Sequence, residues 1–418
     1  MESTVSIHDL RVGMFIHLDL GWMRHPFPLS SFRVTSEQQL QALRELGLSR
    51  VRWEPERSLL DDGAESPPDI APETVPTEVI ADPAAERRAA LAAQRDGLRL
   101  LDRQYTEASS VLRDTCRIAG THPLKARDDA EALARALLDK LLVDGDMCIR
   151  LLSCSVGDRA AAHGLNVAVV ALLMGRGLGL TEAEMLDLGV AALLHDVGKQ
   201  ALPTRVRHLD EAFSSAERKL YQTHVAQGVA LARQMGLPPG AQAILAQHHE
   251  HADGSGFPLQ SRGDRIPFGA RIVALVDRYD NLCNPALLTA AMTPHEALSL
   301  LFAQNRQRYD ATILNSFIRM MGVYPVGSIV QLTDDRYAMV MGVNSSRPLK
   351  PRVMVHDPRV AAHEALTLDL ADEPNLGVRR SLRASQLPPA TLAYLAPRDR
   401  LTYFFEAVPA PPEAADPA

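Results

Sequence analysis

Residues 182–199 read EAEMLDLGVAALLHDVGK: strong helix formers, no apolar–polar alternation, and a His-Asp pair, His195 and Asp196, where the apolar run ends. The stretch predicts a helix that carries chemistry-bearing side chains at its last turn. The same character extends in both directions. From about Asp128 to Met321 the chain reads as successive helices with short loops, among them HGLNVAVVALLMGRGLGL (163–180), AERKLYQTHVAQGVALARQM (216–235), AQAILAQHHE (241–250) and FGARIVALVDRYDNL (268–282). With no strand alternation between them, an all-α helical bundle is the economical reading of this central region.

Histidines crowd this region. Seven of the fourteen fall between His163 and His251, where an even spread would place about three. His163, the pair His195 and Asp196, His224, the pair His248 and His249, and Asp277 come one or two per predicted helix, at or near helix ends. A bundle can converge such residues on one interior point. Imidazole and carboxylate without thiolate suit Fe, Mn or Zn, and the two oxygens of Asp196 can bridge two ions. Two ions about 3.5–4 Å apart acidify a water between them and stabilise the attacking and leaving oxygens of an in-line phosphoryl displacement. Lys199, four residues after His195, is placed to neutralise a phosphate oxygen. His208 and His251 read as a loop residue and an exposed neighbour; His8, His17 and His25, without partners at ligand spacing, read as structural or surface histidines.

Outside the helical region, residues 1–60 form a small α+β module of short apolar runs around one helix, which Ser36 caps, Gln39 supports and Gly47 ends. A Pro/acidic linker covers 61–83 and a connecting helix 84–127. In that helix Leu91, Leu98, Tyr105 and Leu112 recur every seven residues, a spacing that admits either a homodimer seam or a helix docked on its own domain. The helical domain spans 128–322, a β-rich C-terminal extension 323–408, and a Pro/Ala-rich disordered tail 409–418.

The chain is ordinary for a globular protein, with 46% hydrophobic and 23% charged residues. A formal charge of −7 argues against a broad basic face for nucleic-acid polymers. Cys116, Cys148, Cys154 and Cys283 form no CxxC pair and read as reduced core thiols. The N-terminus lacks the signature of a signal peptide and no run of ~20 apolar residues is uninterrupted, so no membrane span and a cytoplasmic location are expected.

Together AALLHDVGK, the downstream His224, QHHEHADGSGFP (247–258) and RIVALVDRYDNL resemble the HD-GYP family, the metal-dependent branch of the HD superfamily whose typical substrate is cyclic di-GMP. The first 45 or so residues are similar to the domain of unknown function that often precedes HD-GYP domains. The resemblance implies a hydrolase that opens cyclic di-GMP to pGpG and onward to GMP, in bacterial second-messenger signalling; the alternative is a catalytically weak sensor or adaptor acting through protein partners. It implies His163, His195, Asp196, His224, His248, His249 and Asp277 as ligands of two divalent ions, Fe or Mn, with Asp196 bridging and Asp196 and Lys199 in the catalytic machinery. Lys199 and the loop Asp253, Gly254, Gly256, Phe257 and Pro258 are implied in substrate binding, the loop also in docking diguanylate cyclase (GGDEF) domains. Three departures stand out. Phe257 replaces the tyrosine of GYP; Arg159 stands where members with three metals carry a glutamate, which implies two; and DNLCNPALL (280–288) lacks the arginine of the family's DALTSDRPY.

Overall fold

A computed structural model describes residues 3–18, 31–58, 83–142, 147–153, 157–208, 212–344 and 347–407. The expected linker up to residue 82, the tail, His25 and Cys154 lie outside them. The chain divides into two compact units, Met1–Ala93 and Gln94–Ala418.

In the first unit, strands β1 (Ser3–Ser6), β2 (Phe15–His17), β3 (Ser31–Arg33) and β4 (Arg50–Glu54) form an antiparallel sheet in the order β1-β4-β2-β3, with helix α1 (Glu37–Glu45) between β3 and β4 in sequence. The Ser36 side chain accepts the Gln39 N–H and Gly47 takes a φ of 68°, so the helix starts and stops where its capping residues lie. Leu40 and Leu43 bury against Ile7, Leu10, Ile16 and Val51. His17 pairs with Glu54 on the neighbouring strand at 2.9 Å.

Helix α2 (Pro83–Ile118) turns Leu101, Tyr105, Ala108, Leu112 and Thr115 into the core of the second unit, whereas Leu91 and Leu98 are half-buried. Of the two alternatives left by the seven-residue spacing, a docked helix describes these residues. Next come α3 (Pro123–Leu141), β5 (Met147–Leu151), α4 (Arg159–Gly177), α5 (Glu182–Leu194), α6 (Ser215–Met235), α7 (Pro239–Gln247), α8 (Phe268–Cys283), α9 (Pro294–Ala303) and α10 (Ala311–Met321). Capping boxes at Thr181/Glu184, Ser214/Glu217 and Thr293/Glu296 start three of them. Helix α4 is long and apolar enough to cross a membrane, but 78% of its apolar stretch is buried inside the fold, where it packs on α5 and α8.

The chain ends in β6 (Ile329–Leu332), β7 (Tyr337–Asn344), β8 (Arg352–Val355), β9 (Thr367–Asp369), β10 (Val378–Leu382), α11 (Pro389–Leu395) and β11 (Tyr403–Ala407). Here the all-α expectation for 128–322 is corrected: β5, from within that span, is buried at all five positions and lies between β7 and β11 in the order β10-β6-β7-β5-β11. Its sequence MCIRL is too short for periodicity to separate strand from helix, and its partners, Val343 opposite Ile149 and Phe404 opposite Arg150, are remote in the chain. The β-rich C-terminal region therefore includes a strand of the helical region.

Candidate metal centre

Five helices deliver the seven residues singled out in the sequence. His163 lies in the second turn of α4, whose N-terminus is capped by Asp158. His195 ends α5, and Asp196 opens the 3-10 helix Val197–Ala201 that carries Lys199. His224 sits inside α6, His248 ends α7 with His249 next in the turn, and Asp277 lies on α8. The glycine of HDVGK permits the assembly: a Cβ at Gly198 would collide with the carbonyl oxygen of His224 and the amide nitrogen of Gly228. Only a residue without a side chain lets this turn approach α6 so closely.

Three imidazoles are oriented in the same way. Nδ1 of His195 lies 2.8 Å from the Ala192 carbonyl, that of His224 2.6 Å from Tyr221 and that of His248 2.8 Å from Leu245. A carbonyl accepts only from a protonated Nδ1, so in the neutral ring each Nε2 is the atom with the lone pair. Those Nε2 atoms point inward. His163 Nε2 is 3.2 Å from His195 Nε2, and His224 Nε2 is 3.1 Å from His249 Nε2. Asp196 stands between the two pairs: Oδ2 lies 3.7 and 3.5 Å from His163 and His195 Nε2, and Oδ1 3.8 Å from His224 Nε2. Asp277 closes the group, with Oδ1 3.0 Å from His163 Nε2 and Oδ2 3.8 Å from His249 Nδ1.

Donor atoms thus fall into two groups able to hold a metal ion, His163–His195–Asp196 and Asp196–His224–His248–His249, sharing Asp196. Buried atoms support a fit to cations: Asp196 Oδ1 and His248 Nε2 find no hydrogen-bond partner among the described residues, a costly state that an ion relieves. Protonation states divide the group. Burial would raise Asp196, yet Lys199 and His195 hold its carboxyl well below the usual range; Asp277 is likewise held down against burial by His163 and His195. Burial, then the neighbouring His195 and His224, pushes His248 down to about 3, and burial and His248 lower His249 well below normal. Against burial, Asp277 and Asp280 raise His163 to about 9, and Asp196 and Asp277 raise His195 to about 10, so these two would release a proton as an ion binds, whereas the carboxylates, His248 and His249 are already in the forms that bind metal.

Behind His163 lies a polar network that sequence reasoning missed. Asp280 Oδ2 accepts from His163 Nδ1 at 2.6 Å, while Oδ1 accepts from Asn166 and Asn284 at 2.9 Å and from the Tyr403 hydroxyl at 3.1 Å. Both asparagines also donate to the Leu401 carbonyl at 3.0 Å. The segment 401–403 leading into β11 thereby supports the helical site.

The loop after His249 is held from beneath. Buried Glu250 accepts the N–H groups of Leu259 at 2.5 Å and Ser261 at 2.9 Å, so this carboxylate clamps the loop and is not one of the inward-facing donors. Gly256 packs where a Cβ would strike the backbone of His249, Glu250 and His251, and Gly254 turns the chain at a φ of 80°. Phe257 stacks on His249 with centroids 4.6 Å apart, whereas Asp253 and Pro258 are exposed. Lys199 Nζ lies 2.6 Å from Asp196 Oδ2 and 5.2 Å from the Tyr221 ring centroid. His208 is an exposed loop residue and His251 bonds Ser255, outside the cluster.

Residues 146–313 match the HD domain family, and residues 2–130 match the domain of unknown function DUF3391. A cyclic di-GMP phosphodiesterase of Pseudomonas aeruginosa is 26% identical over 363 residues, 85% of each chain. The cyclic di-GMP phosphodiesterase response regulator RpfG of Xanthomonas campestris pv. campestris is 35% identical over 153 residues, 36% of this chain and 40% of that one. A 3'3'-cGAMP-specific phosphodiesterase of Vibrio cholerae is 33% identical over 155 residues, 37% of this chain and 30% of that one. Residues 146–313, which hold the clustered His-Asp residues, are thus an HD domain, and a DUF3391 domain precedes it.

Proposed function

We propose that this protein is a metal-dependent phosphodiesterase that hydrolyses cyclic di-GMP to pGpG and onward to GMP. The observation that carries this reading is Asp196, whose two oxygens face two separate imidazole groups and suit a carboxylate bridging two divalent ions. His163, His195 and Asp277 would hold one ion, and His224, His248 and His249 the other, with Asp196 shared; Fe or Mn suits these donors. When bound, the two ions supply Lewis acidity to the phosphoryl oxygens and acidify water at neutral pH.

The chain's own groups do the rest. Lys199, fixed between Asp196 and Tyr221, offers an ammonium to a non-bridging phosphate oxygen. Phe257 over His249 supplies an aromatic face for the substrate and limits access of bulk water, without the hydroxyl of a tyrosine. The exposed edge of that loop, at Asp253 and Pro258, is the surface we assign to docking a GGDEF domain.

Chromatography of products formed from cyclic di-GMP by anaerobically purified protein loaded with Fe(II) or Mn(II) tests the reading. Metal-dependent pGpG that a His195→Ala, Asp196→Ala double variant fails to make is the expected result. Preference for 3'3'-cGAMP would replace the substrate. No product from protein holding two ions per chain would overturn the enzymatic reading and leave the sensor role.

A further inference from the structure

Two groups hold Lys199. Its ammonium nitrogen lies 2.6 Å from Asp196 Oδ2 and 5.2 Å from the centroid of the Tyr221 ring, and its side chain makes no hydrogen bond or ion pair with any third group among the described residues. The carboxylate has a competing duty. The same Oδ2 faces Nε2 of His163 and His195 at 3.7 and 3.5 Å, so an ion shared by those three residues draws on the lone pairs that Lys199 uses and sets a like charge beside the ammonium. Tyr221 is free of that conflict and is firmly placed. It lies buried on α6 one turn before His224, and its carbonyl accepts the His224 Nδ1 proton at 2.6 Å. Leu202, Val206 and Tyr221 form one apolar cluster, with Phe213 and Phe257 packed against it. The ring is thus fixed relative to the centre. Gly198 completes the arrangement: lacking a side chain, the turn that carries Lys199 presses on α6 at the His224 carbonyl and the Gly228 amide, which brings the ammonium to Tyr221.

We propose that Tyr221 is a positioning residue for the hydrolysis: its ring holds the Lys199 ammonium at the phosphate once Asp196 is committed to the ions. The inference rests on the phosphodiesterase reading and specifies what keeps that site's lysine in place. An ammonium within about 6 Å of an aromatic centroid is drawn to the negative face of the ring, more strongly where water is excluded, and only 14% of the Lys199 side chain is exposed. Unlike a carboxylate, the ring has no net charge, so it seats the ammonium without neutralising it. The full positive charge stays available to the non-bridging oxygen on which charge grows during phosphoryl displacement. Tyr221 acts through Lys199 and not on the substrate.

Tyr221→Leu and Tyr221→Phe, each alone and combined with Lys199→Met, are the test, read on Mn(II)-loaded protein with cyclic di-GMP as substrate. Tyr221→Leu is expected to lower kcat about three- to thirtyfold with KM little changed, and Tyr221→Phe, which keeps the ring, to restore most of that loss. In the Lys199→Met background Tyr221→Leu is expected to lower kcat no further. A fall that persists there marks a packing role and overturns the proposal, as does an unchanged kcat in Tyr221→Leu or no recovery in Tyr221→Phe. If the unaltered, metal-loaded chain turns over no cyclic di-GMP, the phosphodiesterase reading fails instead. Calorimetric titration of the Mn(II)-loaded chain with inorganic phosphate then decides the seat alone: a Kd weakened by Tyr221→Leu, but not in the Lys199→Met background, supports it, and an equal Kd or no binding overturns it.

Discussion

Asp280→Asn isolates what the buried network does for His163. The change is isosteric, so packing is kept, but one carboxylate oxygen becomes an NH2 group. Oδ1 must remain an oxygen, because Asn166, Asn284 and Tyr403 all donate to it. The amide nitrogen therefore faces His163 Nδ1 across 2.6 Å, where the carboxylate had accepted. Two donors cannot share that contact, so His163 is driven to the tautomer with its proton on Nε2, the atom that faces Asp277 and His195. A protonated nitrogen binds no cation. Loss of such an orienting partner typically costs about 10–100-fold in metal affinity, or about 1.4–2.7 kcal/mol. Calorimetric titration of metal-free protein with Mn(II), with metal content measured after dialysis, reads the loss. The melting temperature of the metal-free form is expected to move little, because only one of the four hydrogen bonds changes sense. Affinity equal to that of the unaltered chain would refute the reasoning.

Lys140, buried beneath Phe404 and donating to Gln104, is pushed by burial down to about 8. Between pH 8 and about 10.5 the unfolded chain holds a proton that the folded one lacks, so stability rises with pH by about 3 kcal/mol across that window. Lys140→Met is expected to stabilise the protein at pH 7 and flatten the rise in denaturant titrations; parallel profiles would contradict this. Gly198→Ala forces a Cβ into the His224 carbonyl, so a loss of about 1–3 kcal/mol or more is expected, with less metal bound per chain. Unchanged melting and metal content would show that the turn relaxes freely. In Glu250→Gln an NH2 group meets one of the two amides that the carboxylate accepts, and faster hydrogen exchange at Leu259 and Ser261 is the expected sign. Full protection there would dismiss the clamp.

Ligand-type residues at helix ends were legible because local composition there announces both the helix and its stop, whereas His224 and Asp277, expected near helix ends, lie mid-helix in α6 and α8. His195 and His248 end α5 and α7 as the apolar runs suggested. Asp280 was also within reach, since it lies three residues after Asp277 on the same helical face. Glu250 shows the limit of adjacency: it follows two inward-facing histidines, but the chain turns after α7 and sends it under the loop. Strand β5 and Tyr403 were beyond local reasoning, because what defines them is pairing between segments distant in the chain. Arg400 lies in an irregular stretch with no periodicity, and only folding brings it to the segment that follows α8.

The position of β11 sets a timetable for synthesis. At about 5–20 residues per second, the roughly 130 residues from Asp277 to Ala407 occupy the ribosome for on the order of ten seconds. Throughout that interval the nascent chain already contains every clustered imidazole and carboxylate, but β5 lacks its neighbour β11, and Asp280 and its two asparagines lack Tyr403 and the Leu401 carbonyl. The last strand among the described residues is the one that completes the support of His163, so that support is whole only once β11 has been translated.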